Sequence, residues 1–332
     1  MIKRRFILGA GASALGAFAS NNLVAQTIGA PRIQAPNAAQ MSGLQRLPGV
    51  DLRLQIIEKN LIPRDQGYRG TCSVFACGFL IEYQQDVPIP DGFFGGLPRY
   101  CSIEYLNWAA NQFSPKDGGG DGSFFEDIAI GYTKLGAASE YAWRYSQALP
   151  ANPTAPPNGL VANTQQNSII LKPRMVRAND DSWGATQAHL NEVCSLLDRG
   201  TPVAAGFRIT AMPDIIDVGN TTVWSNLGPG SHGAHSMAIV GYVPISSAPG
   251  GGYFIVRNSA GSYRGDKGYL YISYNYFRAN VADIIVFEKY SNFRPTSGLI
   301  ESLRTNRPRP NFEWANPNMV IAASGRGRQS GN

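Results

Sequence analysis

The chain has 332 residues, of which 43% are hydrophobic, 11% aromatic and 16% charged. This composition supports a packed core and excludes a collagen, a coiled coil and a wholly disordered chain. The net charge of +6 comes from the two ends, since residues 1–25 hold three basic residues and no acid, and residues 298–332 hold five arginines against two glutamates. The region between them has no net charge, so we do not expect nucleic acid as a partner.

Residues 1–25 have the pattern of an export signal. A basic start at residues 3–5 precedes an uncharged, mostly apolar run at residues 6–19, which is too short to span a membrane. Residues 17–19, Ala-Phe-Ala, form a small-x-small cleavage site, and the paired arginines resemble a twin-arginine signal. A general secretory signal or an uncleaved anchor is the alternative. We expect an exported protein, periplasmic or secreted, with no stable membrane insertion after signal removal.

Beyond a Pro- and Ala-rich lead-in at residues 26–50, apolar residues recur first at helical and later at strand spacing. The predicted helices cover residues 72–84, 102–113, 124–135 and 186–199. The predicted strands cover residues 202–209, 236–243, 252–257, 268–274 and 283–289. Helices followed by strands predict an α+β fold with an α-rich first lobe and a β-rich second lobe.

Two stretches lie outside this pattern. Residues 146–182 begin with a run rich in Pro, Ala and Asn and are expected to be an insertion. Residues 296–332 are polar and basic and are expected to be a tail. The remaining domain then covers residues 51–295.

Cys72 stands at the predicted start of the first helix, just after Gly70 and Thr71, and Thr71 could cap that helix. Unpaired amides and the helix dipole at such a position favour a thiolate, which is the nucleophilic form of cysteine. A cysteine at a helix start is also commonly a small buried hydrophobe. Cys77 and Cys194 lie in apolar helical patterns and are expected in the core, and the pairing of these two and Cys101 is left open.

His235 opens an apolar run that ends in Gly-Tyr, and Asn258-Ser259 ends the next predicted strand. A histidine at the start of a strand can face a cleft, and an asparagine beside it can fix its tautomer. Together with Gln66, six positions before Cys72, these residues resemble the papain-like cysteine peptidase family over residues 50–290. The order of the four elements makes the match specific, and with the export signal the chain resembles a bacterial, exported member of that family.

The resemblance implies a papain-like two-lobed fold whose second lobe is barrel-like, with the active-site cleft between the lobes. It implies that Cys72 attacks the scissile carbonyl of a peptide or protein substrate and that His235 acts as base and acid. Asn258 would orient His235, and the Gln66 amide would join the backbone N–H of Cys72 in an oxyanion hole. No cofactor or metal is implied.

Substrate-binding positions also follow from the resemblance. The glycine-rich stretch at residues 118–122 corresponds to the segment that pairs with an extended substrate, so Gly120 and Gly122 are expected there, with Ala234 beside the histidine. The chain departs from the family pattern at Arg69, where a cysteine is usual, and at Ala260, where a tryptophan usually shields the Asn–His hydrogen bond.

Four other interpretations stay open at this stage. The Ala260 departure is compatible with a catalytically weak or inactive protein that binds peptides or the cell envelope. A thioester acyltransferase would use the same residues with an amine as acceptor. His232, His235 and Asp121 could bind a metal, and the glycine-rich stretch could bind calcium, but neither has the spacing of a recognised site. The oligomeric state is not predicted.

Overall fold

Helices are concentrated before residue 136 and strands after residue 170, as the change of hydrophobic period predicts. The computed structural model describes residues 44, 47–85, 100–113, 121–147, 155–161, 171–180, 182–290 and 297–303. The helices are α1 (Arg53–Glu58), α2 (Cys72–Gln84), α3 (Ile103–Asn111), α4 (Phe125–Leu135), α5 (Gln187–Asp198), α6 (Tyr274–Asn280) and α7 (Ser297–Leu303). The strands are β1 (Val50–Asp51), β2 (Leu171–Arg177), β3 (Val203–Thr210), β4 (Asp214–Val218), β5 (Thr221–Asn226), β6 (His232–Pro244), β7 (Gly252–Arg257), β8 (Tyr269–Ser273) and β9 (Val281–Lys289).

The described strands form one nine-stranded sheet in the order β2-β9-β3-β6-β7-β8-β5-β4, and β1 pairs with β6 beside that path. The β5–β8 pair is parallel, and the other pairs are antiparallel. Because the path ends at β2 and β4 without closing, the barrel-like second lobe that we expected is an open sheet. The longest strand, β6, lies between β3 and β7 and carries His235 close to its start.

Helix α2 lies at the centre of the fold, and its predicted bounds are the observed ones. Every residue from Cys72 to Gln84 is buried, because the helix contacts both the strands β3, β6 and β9 and the helices α3 and α4. A helix that is apolar around its whole circumference is the type expected for such a position. The predicted cap by Thr71 is wrong, since its side chain makes no cap hydrogen bond and pairs instead with the Tyr145 hydroxyl at 2.8 Å.

Some stretches expected to be irregular are ordered elements. The end of the predicted insertion at residues 146–182 is strand β2, which pairs with β9 at the edge of the sheet. The predicted tail at residues 296–332 begins with α7, whose Ile300 and Leu303 are buried against the part of the core that includes α4. The hairpin of β4 and β5 was not predicted at all. Among the described residues, no helix is both long and apolar enough to cross a bilayer.

Candidate active site

Cys72 is the first residue of α2 and is only 3% exposed. Its backbone N–H lies in the first turn, where no intrahelical acceptor exists. The Cys72 sulfur accepts a hydrogen bond from the backbone N–H of Ser236 at 3.4 Å. Since Ser236 follows His235 on β6, this contact joins the start of the helix to the strand that carries the histidine.

His235 and Asn258 form a buried hydrogen bond of 2.7 Å between imidazole Nε2 and amide Oδ1. The same Oδ1 accepts the backbone N–H of Ser259 at 2.8 Å, which identifies this atom as the amide oxygen. Nε2 must therefore carry the imidazole proton, and Nδ1 must hold the lone pair. Nδ1 is buried and has no hydrogen-bond partner among the described residues, so it is the ring nitrogen available to take a proton.

Gln66 lies across the site from Asn258 and is 4% exposed. Its amide Nε2 donates to the carbonyl of Arg69 at 2.8 Å, and its Oε1 accepts the hydroxyl of Ser259 at 2.5 Å. The backbone N–H of Gln66 donates to the Ser259 carbonyl at 2.8 Å. Ser259 therefore contacts both Asn258 and Gln66 and holds the two predicted residues in one network.

Burial dominates the protonation of the two reactive groups. It raises the pKa of the Cys72 thiol to about 11, although the backbone N–H groups of Ser236 and Ser73 lower it. Burial also lowers the pKa of His235 to about 4, although the hydrogen bond to Asn258 raises it. At neutral pH the described site holds a neutral thiol and a neutral imidazole. We expected the helix N-terminus to favour a thiolate at Cys72. Desolvation raises the pKa of the thiol by more than the helix N-terminus lowers it.

The predicted substrate-binding residues are only partly described. Gly120 lies outside the described residues. Gly122 has φ +80°, and a Cβ there would stand 2.1 Å from the carbonyl oxygen of Gly70, so the segment lies directly against the loop before Cys72. The N–H of Gly122 donates to Asn107 Oδ1 at 3.1 Å. The carbonyl of Gly122 accepts the hydroxyl of Ser123 at 2.7 Å.

Ala234 lines a small pocket of about 10 Å³ between the helical part and the sheet, which has room for about one water molecule. Residues next to both reactive groups contribute to the same pocket, namely Ser73 after the cysteine and Ser236 after the histidine. Asp283 of β9 also lines it, and burial with a contribution from Glu126 raises the pKa of this carboxyl to about 7. Ala234 itself is buried, at 7% exposure, so only a small part of its surface is open to a substrate.

The two departures from the family pattern have clear structural settings. Ala260 is 4% exposed, and the His235–Asn258 hydrogen bond is buried although the side chain at 260 is small. Arg69 is buried and binds two carboxylates, those of Glu104 and Asp121. Neither setting opens the site to solvent.

The other predicted binding groups are engaged elsewhere. Asp121 pairs with Arg69, and His232 lies 3.2 Å from a guanidinium nitrogen of Arg208. Within the described ranges, no group of three or more His, Cys, Asp or Glu side chains could hold a metal ion. All four cysteines are free thiols; Cys77 and Cys101 are buried, whereas Cys194 is half-buried rather than in the core.

Two serines that the sequence analysis did not assign to the site, Ser236 and Ser259, complete it. Each directly follows a predicted site residue, His235 or Asn258. Their contribution depends on backbone geometry, because Ser236 uses its N–H on the Cys72 sulfur and Ser259 uses its N–H on Asn258. The only signal in the sequence is adjacency to a candidate residue.

The chain is similar to solved structures of cysteine proteases. No protein-family model matches the sequence, and no curated protein matches it. Xylellain, a cysteine protease from Xylella fastidiosa, aligns with a TM-score of 0.53 and 21% identity over 77% of this chain and 90% of its own. The proform of the ragweed pollen cysteine protease Amb a 11 aligns with a TM-score of 0.48 and 20% identity over 77% and 70% of the two chains.

A third structure, digestive procathepsin L 3 of Tenebrio molitor larval midgut, aligns with a TM-score of 0.46 and 16% identity over 73% of this chain and 71% of its own. With TM-scores below 0.5, the pollen and midgut proteins support no argument. The likeness to xylellain concerns the fold and confirms the predicted α+β class. The chain therefore has the papain-like fold of a cysteine protease.

Proposed function

We propose that this protein is a cysteine peptidase, with its peptidase domain in residues 51–295, that hydrolyses peptide bonds through an acyl-thioester on Cys72. The hydrogen bond between His235 Nε2 and Asn258 Oδ1 carries the proposal, because it leaves Nδ1 as the proton acceptor. The contact between Ser236 and the Cys72 sulfur brings nucleophile and base into one site. The papain-like fold supports the same function.

In the first half of the reaction, the Cys72 thiol transfers its proton to His235 Nδ1 while the sulfur attacks the carbonyl carbon of the scissile bond. The carbonyl oxygen becomes an oxyanion. When the tetrahedral intermediate collapses, the C–N bond breaks, His235 returns its proton to the leaving amine, and an acyl-thioester on Cys72 remains. Asn258 keeps the ring oriented throughout, since its Oδ1 binds Nε2 and leaves Nδ1 to carry the moving proton.

In the second half, a water molecule gives a proton to His235 Nδ1 and its oxygen attacks the thioester carbon. Collapse breaks the C–S bond, releases the carboxylic acid and returns the proton from His235 to the Cys72 sulfur. Atoms balance with water as the only co-substrate, and no electrons are exchanged with a cofactor.

The neutral thiol sets the main energetic requirement of this mechanism. With the pKa of Cys72 at about 11 and that of His235 at about 4, the free protein holds very little thiolate–imidazolium pair at neutral pH. Proton transfer must therefore accompany attack, and the developing oxyanion needs stabilisation. The backbone N–H of Cys72 and the Gln66 amide supply it, since only one of the two N–H bonds of that amide is occupied by Arg69.

The substrate is an extended peptide or protein segment. It contacts Gly122 in the glycine-rich stretch and Ala234 beside His235, together with Gly120, which lies outside the described residues. The main-chain contacts give affinity.

Hydrolysis of an unfolded protein or a fluorogenic peptide mixture tests the proposal. The wild-type protein should cleave the substrate, and Cys72→Ser should not. Cys194→Ser is the matched control, because Cys194 is a half-buried thiol on α5 and should leave the rate unchanged. Cleavage that persists in Cys72→Ser would contradict the assignment of the nucleophile.

The same assay separates the other interpretations. If the protein binds peptides without turnover while folded, it is a binding protein of papain-like fold. If an added amine such as glycinamide diverts most of the product to the amide, the protein is an acyltransferase. We expect the free carboxylic acid as the main product.

We also propose that residues 1–25, which lie outside the described residues, direct export to the periplasm or the exterior. Fractionation of a bacterial host and N-terminal sequencing of the exported form test this. The mature N-terminus should follow Ala19 or Ala25. Arg4→Lys with Arg5→Lys should block export if the twin-arginine route is used and should leave it intact if the general secretory route is used.

A further inference from the structure

Arg69 is buried, at 2% exposure, three residues before Cys72. A guanidinium has five N–H donors, and here each has an acceptor. Nε and Nη2 bind the two oxygens of Asp121 at 3.0 and 2.9 Å. Nη1 and Nη2 bind the carboxylate of Glu104, with the Nη2 bond at 3.2 Å, and Nη1 also donates to the carbonyl of Ser146 at 2.7 Å. The side chain is therefore held in a single geometry.

Asp121 connects this guanidinium to the Asp121–Gly122 segment, which lies against the loop before Cys72. Besides Arg69, its carboxylate accepts the backbone N–H of Gly70 at 3.2 Å and the amide of Asn107 at 3.1 Å. Asn107 in turn accepts the N–H of Gly122 at 3.1 Å. Positions 121 and 122 are thus fixed to the loop before Cys72 by the Arg69–Asp121 pair and by the Gly70 N–H.

Glu104 holds Arg69 from another direction. It belongs to α3, and its carboxylate also accepts the backbone N–H of Ser146 at 3.0 Å. The hydrogen bonds of the Glu104 carboxylate join it to Arg69 and Ser146. The two carboxylates therefore bind the same cation, but only Asp121 belongs to the segment beside the nucleophile.

We propose that Arg69 is a positioning residue that acts through Asp121, holding the Asp121–Gly122 segment at the distance from Cys72 that an extended substrate backbone requires. This inference rests on the proposed peptidase function, since it assumes that a peptide lies along that segment. Arg69 itself touches neither substrate nor reacting atoms.

The two carboxylates provide a matched pair of substitutions. Arg69 carries one positive charge against two negative ones, so Asp121→Asn and Glu104→Gln each leave a single balanced ion pair. Both changes are isosteric, and each removes one of the two negative charges that face the buried Arg69 cation. A purely structural role of Arg69 predicts similar effects of both, whereas a positioning role predicts that only Asp121→Asn disturbs the substrate segment.

The experiment compares two rate constants for modification of Cys72, and neither requires peptide cleavage. Second-order rate constants for alkylation of Cys72 are measured with a peptidyl epoxide, which needs the extended segment, and with iodoacetamide, which does not. Asp121→Asn should lower the ratio of these two constants by about tenfold or more, since small misplacements of binding groups cost one to two orders of magnitude in rate. Glu104→Gln should change it by less than about threefold, and Arg69→Lys, which cannot form the bidentate pair, should behave like Asp121→Asn.

An equal fall in Asp121→Asn and Glu104→Gln, or an unchanged ratio in both Asp121→Asn and Arg69→Lys, would overturn the inference. Thermal unfolding of each variant shows whether it is folded, and Arg69→Lys serves if Asp121→Asn is not. The proposed function fails separately: if the wild-type protein cleaves no peptide while the ratio still falls in Asp121→Asn, the positioning role of Arg69 is supported without the peptidase function.

Discussion

Replacing His235 by glutamine should change how the free energy of unfolding depends on pH. In the folded protein burial holds the pKa of His235 at about 4, below the ordinary value of 6.5. Between these two values the unfolded chain binds a proton that the folded chain does not. The wild-type protein therefore loses stability as the pH falls through this window, and glutamine, which does not titrate, removes that loss.

The magnitude follows from the two pKa values. Between pH 7.5 and pH 4.5, the linkage relation gives a loss of about 2.5 kcal/mol from this one imidazole, at about 1.4 kcal/mol per unit of pKa. The fixed cost of inserting glutamine cancels when the same variant is compared at two pH values. Other buried acids, such as Asp283 with its raised pKa, are present in both proteins and cancel as well.

Urea unfolding at a series of pH values gives the measurement. The stability of His235→Gln relative to wild type should rise by about 2.5 kcal/mol as the pH is lowered from 7.5 to 4.5. If instead His235 were an imidazolium paired with a Cys72 thiolate, its pKa would be raised and the relative stability of the variant would fall or stay flat. Either result would refute the neutral resting state.

Three further substitutions test the site and its support. Gln66→Ala should lower kcat by roughly 10²–10³ if its amide is an oxyanion donor, while iodoacetamide still modifies Cys72. Asn258→Ala should lower both kcat and the free energy of unfolding, the latter by about 1–3 kcal/mol, because it leaves the buried His235 Nε2 without an acceptor. Gly122→Ala should destabilise the protein by more than about 2 kcal/mol, since its Cβ would clash with a backbone carbonyl. Gly219→Ala is the control, because Gly219 also has a positive φ but lies in open space, and it should cost only about 1 kcal/mol. Thermal unfolding measures both.

The regular elements of the centre were readable from the sequence. Helix α2 and strand β7 have the bounds that hydrophobic period predicts, because all their residues are buried and apolar residues predominate in both. Strand β2 was missed because Pro173 and charged residues break its pattern. A proline is tolerated there because β2 is at the edge of the sheet, where one side of the strand has no ladder to complete.

The β4–β5 hairpin was missed for a related reason. Most residues of β4 are exposed, and Ile215 is 44% exposed, so no buried face imposes an alternating pattern. An edge strand of this kind is specified by its partner rather than by its own sequence. Its hydrogen bonds to β5 become visible only in the structure.

The candidate site, too, could be predicted from the sequence only in part. The residue types at Gln66, Cys72, His235 and Asn258 could be selected from local context, and the structure brings them together from two loops, a helix start and a strand. The protonation of the site could not be read in this way, because it depends on burial by distant elements. The partners of Arg69 lie 35 and 52 residues away along the chain, and no local pattern predicts them.

Labelling with an epoxysuccinyl thiol inhibitor near neutral pH tests the central claim most directly. The account predicts one label per chain, located by mass spectrometry on Cys72, with Cys77, Cys101 and Cys194 unmodified and with the reaction lost in His235→Ala. The three other thiols serve as internal controls, since Cys77 and Cys101 are buried and Cys194 is half-buried on α5. A folded protein that takes no label at Cys72, or that takes it equally well without His235, would contradict the account.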